Sequence, residues 1–250
     1  MGWLKNLVQR FQFARHLPRH WRLRPRTLDA RIVRQVLLEN EYRLPERFAP
    51  DDQILDIGGH IGAFALACLQ RGAQHVHVFE PEPENFALLE QNLAPFAGRA
   101  HLHRQAVWRS DASPMRLGLH NPVATRNTGA HRVAVLESGP EVPTMSFDSL
   151  LQDLCPGGRR LRLVKLDCEG AEWPILLTSR RLGLADALCG EYHLGPLSEA
   201  YAVDDQRFGP ELLRATLGRQ GFAVTTVELP PVPHPCGLFF ASRNSDGREG

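Results

Sequence analysis

Short apolar segments alternate with helical patterns from residue 53 onward, and this alternation constrains the fold more than any other feature of the chain. Seven segments have the length and composition of strands: Ile54–Ile57, His75–Phe79, Ala100–Ala106, Leu161–Asp167, Ala187–His193, Ala223–Leu229 and Gly237–Ser242. Helical patterns lie between most of them and before the first: Leu28–Asn40, Ala63–Arg71, Pro83–Leu93, Ser146–Leu154, Glu172–Ser179 and Glu211–Gln220. A chain that repeats strand and helix builds βαβ units. We therefore predict an α/β fold with a mostly parallel sheet and helices on both faces.

The composition fits one globular domain with a short appendage. The chain has 250 residues, of which 43% are hydrophobic, and no run of about 18 apolar residues that would span a membrane. Five cysteines are scattered without Cys-x-x-Cys pairs, a pattern typical of a reducing compartment. We therefore expect a cytoplasmic protein. Most arginines are interspersed with acids, so they do not indicate nucleic-acid binding.

The net charge of +1 conceals an uneven distribution. Residues 1–26 carry seven basic residues and no acid, which leaves −6 for the rest of the chain. Within this segment Trp3, Leu7 and Phe11 share one face of a predicted helix that ends near His16. We assign residues 1–45 to a basic helical appendage and residues 46–250 to the main domain. The basic helix is expected to contact its own domain, a partner or a membrane surface, and a homodimer stays open.

A glycine turn follows the first strand. Asp56 lies near the end of that strand, Gly58 and Gly62 follow, and a helix is predicted directly afterwards. Such a turn lets backbone N–H groups approach a ligand closely. The second strand ends at Glu80, and an acid at this tip commonly binds a ribose diol. Because Asp56 would repel a pyrophosphate, the pattern favours a positively charged nucleoside without phosphates. S-adenosylmethionine fits this description.

Acids and one histidine end two later strands. Asp167 and Glu169 follow one of them, and Glu191 and His193 lie two residues apart on the same side of the next. An imidazole titrates near neutrality and can remove a proton from a substrate hydroxyl. Asp167 and Glu169, alone or with His193, are also candidate ligands for a hard divalent cation such as Mg²⁺. We interpret Glu172 as an acid that stabilises the start of a helix.

These motifs resemble the FkbM-type S-adenosylmethionine-dependent methyltransferases over about residues 50–242. The most specific motif is KLDCEGAE, which begins at Lys165. The glycine turn DIGGHIG, the tip Phe79-Glu80-Pro81, the stretch Thr144–Leu150, Asn127-Thr128-Gly129 and Glu191-Tyr192-His193 also match. Gly59 and His60 depart from the family, whose members often carry Ala and Asn there. This departure changes the polarity of the turn.

The resemblance implies a Rossmann-like class I methyltransferase with a seven-stranded sheet whose last strand is antiparallel. It implies that S-adenosylmethionine contacts the glycine turn and the tips of the neighbouring strands: Asp56, Gly58, Gly59, His60, Ile61, Gly62, Phe79, Glu80, Pro81, Gln105, Ala106 and Asp167. The family mostly methylates hydroxyl groups of sugars, polyketides and other natural products. A small-molecule acceptor and no nucleic acid are therefore expected.

We expect the sulfonium methyl group to be transferred in line to a substrate oxygen. His193 is the predicted base, with Asp167 or Glu191 assisting it and Glu169 orienting the pair. A close variant uses a divalent cation on Asp167 and Glu169. Methyl transfer to nitrogen or a carboxylate stays open, as does a non-catalytic subunit that binds S-adenosylmethionine or a partner. A nicotinamide-dependent oxidoreductase is disfavoured because the sequence lacks G-x-G-x-x-G after a strand.

Overall fold

A computed structural model describes residues 16–111, 117–120, 127–135, 141–194, 201–230 and 235–243. The predicted helix from Trp3 lies outside these residues, except for His16. The described helices are α1 (Asp29–Leu37), α2 (Ala63–Gln70), α3 (Pro83–Leu93), α4 (Phe147–Leu154), α5 (Glu172–Thr178) and α6 (Pro210–Arg219). The described strands are β1 (Gln53–Ile57), β2 (His75–Phe79), β3 (Ala100–His103), β4 (Ala106–Trp108), β5 (Leu117–His120), β6 (Arg132–Val135), β7 (Thr144–Ser146), β8 (Leu163–Leu166), β9 (Ala187–His193), β10 (Phe222–Glu228) and β11 (Cys236–Arg243).

Seven of these strands form one sheet in the order β10-β11-β9-β8-β1-β2-β3. The pairs from β3 to β9 are parallel, whereas β11 runs antiparallel to both of its neighbours. The chain order reverses between β1 and β8, and open α/β sheets bind ligands at such a point, beyond the carboxyl ends of the strands. The predicted sheet with its antiparallel last strand is confirmed.

The third predicted strand is shorter in the structure than in the prediction. β3 ends at His103, and the chain then leaves the main sheet to form β4, which pairs in parallel with β7. A backbone hydrogen bond from Ala106 to Pro143 holds this departure. Within 110–143, the described residues contain the antiparallel pair β5 and β6. Gln105 therefore lies at a bend between two sheets.

Helices cover both faces of the main sheet, as predicted. Along β1, Ile54 contributes to a core with α1, α2 and α3, whereas Leu55 and Ile57 contribute to a second core with α4, α5 and α6. This division follows from the two-residue period of a strand. Ser146 directly precedes α4. Its hydroxyl accepts a hydrogen bond from the backbone N–H of Ser149 and so caps the start of the helix.

Residues before the predicted boundary at residue 45 pack into the core. Trp21, Val33, Val36 and Tyr42 are buried in the same cluster as α2. The Tyr42 ring lies edge-on to Phe64 of α2, with the ring centroids 5.5 Å apart. Division of the chain into an appendage and a domain stays a prediction. Among the described residues, no helix has the length and apolar character needed to cross a membrane.

Candidate active site

A cavity of about 700 Å³ opens at the carboxyl ends of β1, β2, β8 and β9. This volume lies within the range of small-molecule sites in proteins, about 300–1,000 Å³. Eleven of the residues predicted from the sequence line it: Gly58, His60, Phe79, Glu80, Pro81, Gln105, Ala106, Asp167, Glu169, Glu191 and His193. The topology thus brings the glycine turn, two strand tips and the acidic motif to one place.

The glycine turn passes very close to the tip of β8. Gly58 has φ +82°, and a Cβ atom at this position would lie 1.8 Å from the backbone oxygen of Asp167. The N–H groups of Gly58 and Gly59 both donate to the carbonyl oxygen of Phe79, at 3.0 Å each. The turn is therefore clamped between β2 and β8, and only glycine fits at position 58.

Four residues that the sequence places in the cofactor site do not line the cavity. Asp56 is fully buried, and its carboxylate lies 3.1 Å from the Lys165 ammonium. Ile61 belongs to the core, and the backbone of Gly59 is covered by Val78. Gly62 has φ +96° and precedes α2, packed under Leu89 and Leu93. Their positions indicate that these four residues support the turn on the side away from the cavity.

Lys165 ties the turn to the acidic motif. Its ammonium donates to the carbonyl oxygen of Gly58 at 2.6 Å and lies 3.8 Å from the Asp167 carboxylate. Against the effect of burial, Asp56 and Asp167 raise the pKa of Lys165 above its usual range. The lysine therefore stays charged and lies close to both acids, the buried Asp56 and the cavity-lining Asp167.

His60 joins the turn to the N-terminal segment. Its Nε2 atom lies 2.9 Å from the Thr128 hydroxyl and 3.1 Å from an Arg24 nitrogen, and Thr128 donates to Asp29 at 2.7 Å. Burial lowers the pKa of His60 to about 4. Although burial alone would raise the pKa of Asp29, hydrogen bonds from Arg24 and Thr128 lower it. The result is a neutral imidazole beside an ionised pair.

Glu80 ends β2 inside the cavity. One carboxylate oxygen accepts from the backbone N–H of His60 at 2.8 Å, and the other accepts from that of Glu82 at 2.9 Å. Burial raises the pKa of Glu80 to about 7. Each carboxylate oxygen has a second lone pair. The fixed carboxylate can therefore also accept hydrogen bonds from a bound diol.

A second group of cavity residues consists of the carboxylates of Asp167, Glu169 and Glu191 near the imidazole of His193. The Nε2 atom of His193 lies 3.4 Å from a Glu191 oxygen and 3.6 Å from a Glu169 oxygen. Burial raises the pKa of Glu169 to about 7, and burial together with Asp167 raises that of Glu191. Glu169 itself has φ +56°, an uncommon conformation for a residue other than glycine. The structure thus brings the four predicted catalytic residues together.

Glu172 has a larger role than the helix-stabilising one that we expected from the sequence. Its side chain is fully buried, and one oxygen accepts from both the backbone N–H and Nδ1 of His193, at 2.8 and 3.0 Å. Although burial lowers the pKa of His193, Glu172 and the cavity acids raise it well above its usual value. The pattern of an acid two residues after Gly170 did not reveal this partner, because the contact crosses to β9.

One wall of the cavity consists of residues that belong to none of the predicted site motifs. Leu28, Arg31, Ile32 and Gln35, from α1 and the residue before it, line the cavity with Glu41 and Tyr42. The Tyr42 hydroxyl donates to the Asp167 carboxylate at 2.8 Å, and burial with nearby acids raises the pKa of Glu41 to about 7. These contacts span more than a hundred residues of sequence, so no local pattern indicates them.

Comparison with known proteins decides the family. The model of the methyltransferase FkbM domain matches residues 56–207, which is more than half of the chain. The chain belongs to the FkbM methyltransferase family. The family that the sequence motifs resemble is therefore confirmed, and the order of the strands confirms the Rossmann-like fold.

Individual relatives are more distant. The chain is 27% identical to a hexuronic acid methyltransferase, AglP, of Haloferax volcanii over 62% of this chain and 58% of the relative. It is 32% identical to the 31-O-demethyl-FK506 methyltransferase FkbM of Streptomyces tacrolimicus over 40% of this chain and 38% of the relative. The chain thus spans less than two thirds of either relative. Among solved structures, a SAM-dependent methyltransferase from Agrobacterium tumefaciens has a TM-score of 0.46 at 14% identity, covering 88% of this chain and 63% of that one.

Proposed function

We propose that this FkbM-family methyltransferase transfers the methyl group of S-adenosylmethionine to a hydroxyl oxygen of a small molecule, such as a sugar or a polyketide. One observation carries the proposal: a single cavity contains the turn with Glu80 and the cluster around His193. The names of the two relatives, which act on a hexuronic acid and on an FK506 precursor, support this acceptor class. A cytoplasmic location belongs to the same proposal.

The residues of the turn fit the cofactor. Glu80 would hold the two ribose hydroxyls, Gly58 would let the cofactor approach the backbone, and Gln105 and Ala106 would border the adenosine part. Carboxylates of Asp167, Glu169 and Glu191 give the cavity a negative charge that attracts a sulfonium. When bound, the cofactor supplies an electrophilic methyl group on a positively charged sulfur.

The chain's own residues would orient the acceptor and take its proton. Glu172 accepts from Nδ1 of His193, so Nε2 is the ring nitrogen that faces the cavity. The oxygens of Glu191 and Glu169 lie 3.4 and 3.6 Å from Nε2, near enough to stabilise positive charge on the ring. Methyl transfer needs the hydroxyl proton removed because a neutral alcohol is a weak nucleophile. The neutral form of His193 would accept this proton at Nε2, and the nearby carboxylates would stabilise the imidazolium that results.

Two measurements test the proposal. Calorimetry should detect binding of S-adenosylhomocysteine and none of NAD⁺, because Asp56 lies below the turn and the sequence lacks the pyrophosphate motif. Replacement of His193 by Ala or of Asp167 by Asn should leave this binding within about threefold and lower the rate of transfer by at least about 100-fold. Cofactor binding without transfer by the wild-type protein would favour the non-catalytic subunit instead. Unchanged transfer in both variants would remove these residues from the mechanism.

A further inference from the structure

Asp167, Glu191 and His193 lie close enough together for one ligand atom from each to contact a single metal ion. One side-chain ligand atom from each lies within 4.8 Å of the other two. The three residues come from β9 and from the turn after β8, two neighbouring strands with a shared hydrogen-bond register. All three are at most partly exposed, so this is not a group of solvated surface acids. Two carboxylates and one imidazole are a common mixed set of metal ligands.

His193 supplies the observation that separates this set from a simple acidic cluster. The residue is only 5% exposed, and its Nε2 atom faces the cavity. The nearest carboxylate oxygens lie 3.4 Å away in Glu191 and 3.6 Å away in Glu169, beyond the usual 2.7–3.2 Å of an N–H···O hydrogen bond. Ligand atoms that each lie about 2.0–2.2 Å from one ion are about 2.8–3.6 Å apart. The 3.4 Å between His193 Nε2 and the Glu191 oxygen therefore matches two ligands of a shared cation, and an Asp167 oxygen lies within 4.8 Å of both ligand atoms.

Neighbouring residues hold the ligands as outer-shell partners do in metal sites. Glu172 accepts from Nδ1 of His193, which directs the Nε2 lone pair into the cavity. On the other side, the Tyr42 hydroxyl donates to one oxygen of Asp167 at 2.8 Å and leaves the second oxygen for another contact. Both partners are buried, and both fix the direction of a ligand atom.

We propose that Asp167, Glu191 and His193 bind a divalent first-row transition-metal ion such as Mn²⁺. This assignment differs from the Mg²⁺ on Asp167 and Glu169 that the sequence suggests. Glu191 takes the place of Glu169, and the imidazole ligand favours a transition metal over Mg²⁺. Binding of the ion depends on these contacts alone. An ion on Nε2 would make His193 a ligand instead of the base, and the role of the ion in methyl transfer, as a Lewis acid beside the acceptor hydroxyl, rests on the proposed function.

Electron paramagnetic resonance of Mn²⁺ tests the site directly. The full-length protein is freed of metal with a chelator and titrated with Mn²⁺ without cofactor or acceptor. We expect loss of the free-ion signal at one equivalent, and at least about tenfold weaker binding in Glu191→Gln. Glu41→Gln is the matched control, because it replaces a carboxylate of the same cavity by an amide without removing a ligand. Its affinity should stay within about threefold of the wild type.

Each other result has a definite meaning. Absence of Mn²⁺ binding, or equal weakening by Glu41→Gln and Glu191→Gln, overturns the proposal, since the cavity would then only attract cations. Asp167→Asn provides a second ligand variant if Glu191→Gln does not fold. If chelator-treated protein binds no Mn²⁺ and still transfers methyl groups, the metal site fails and the proposed function stands. If Mn²⁺ binds through Glu191 while no hydroxyl is methylated, the metal site stands and the proposed function fails.

Discussion

The glycine turn requires glycine at position 58 for two reasons, the backbone angle and the lack of space for a side chain. Gly58 has φ +82°, and a Cβ atom at this position would lie only 1.8 Å from the backbone oxygen of Asp167. Gly157 provides a useful contrast, because it also has a positive φ, +63°, but nothing lies within 4 Å of its Cβ position. The two glycines therefore separate the cost of a left-handed backbone from the cost of lost space.

The first prediction concerns Gly58→Ala. We expect it to displace the tip of β8 and to abolish detectable binding of S-adenosylhomocysteine, because the turn and the Asp167 backbone cannot both keep their positions. Gly157→Ala should cost only the left-handed strain of about 1–2 kcal/mol and leave ligand binding unchanged. Thermal unfolding and calorimetry measure both effects. Equal behaviour of the two variants would contradict the steric account.

The buried pair of Asp56 and Lys165 gives the second prediction. Because removal of one partner leaves an unpaired buried charge, Lys165→Met should lower the free energy of unfolding by about 3–5 kcal/mol. The double variant Asp56→Asn, Lys165→Met should regain part of this loss, since no net charge then remains in the pair. Denaturant unfolding provides the comparison. A double variant no more stable than Lys165→Met would show that Asp56 does not act through Lys165.

At the scale of secondary structure elements, β2 and β3 form an unusual edge of the sheet. His75 and His77 of β2 share one face with His101 and His103 of β3, and the rings of His77 and His101 stack with centroids 4.7 Å apart. At the end of the row, His103 stacks on Phe79, which lines the cavity. Burial and the neighbouring histidines lower the pKa of His77 to about 4. This part of the sheet therefore favours a neutral imidazole at His77.

Stability should consequently depend on pH through these strands. Between pH 6.5 and 4 the unfolded chain binds a proton at His77 that the folded chain does not bind, so His77 makes stability fall as the pH falls through this window. His77→Phe keeps the ring stack and removes this titration, so its unfolding free energy should fall less between these pH values. Denaturant unfolding at several pH values provides the measurement. Parallel curves for the wild type and the variant would contradict the lowered pKa.

Helix α1 shows how an element outside the recognisable motifs can complete the site. Asp29 at its first position accepts hydrogen bonds from Arg24 and Thr128, which fixes the helix against His60 and the turn. Its cavity-facing side, with Arg31, belongs to one wall of the cavity. The helix therefore contributes to the shape of the cavity although no sequence motif marks it.

At the scale of the whole molecule, the sequence predicted the sheet better than the site. Strand periodicity and turn glycines depend on neighbouring residues, so all seven strands of the main sheet were located, with β3 ending three residues early. Cavity residues with a motif, such as Glu80 and Asp167, were also found. The partners Tyr42 and Glu172 were missed as parts of the site, because packing between elements determines their contacts with Asp167 and His193.

The fold explains where the excess of acidic residues in the chain lies. The excess of acids after residue 26 includes five carboxylates that line one cavity: Glu41, Glu80, Asp167, Glu169 and Glu191. Burial raises the pKa of most of them, so a positive charge in the cavity would stabilise their ionised forms. A sulfonium cofactor and a divalent ion would both supply it. The composition alone, at a net charge of +1, shows none of this.

Transfer of a labelled methyl group tests the central claim most directly. The protein is incubated with S-adenosylmethionine carrying a ¹³C-methyl group and with hydroxylated acceptors, including uronic acids, neutral glycosides and polyketides. We predict a new methyl ether signal in the ¹³C spectrum of one acceptor class, lost with His193→Ala. A label on nitrogen or in a carboxylate ester, or no transfer although S-adenosylmethionine binds, would contradict O-methylation as the function of this chain.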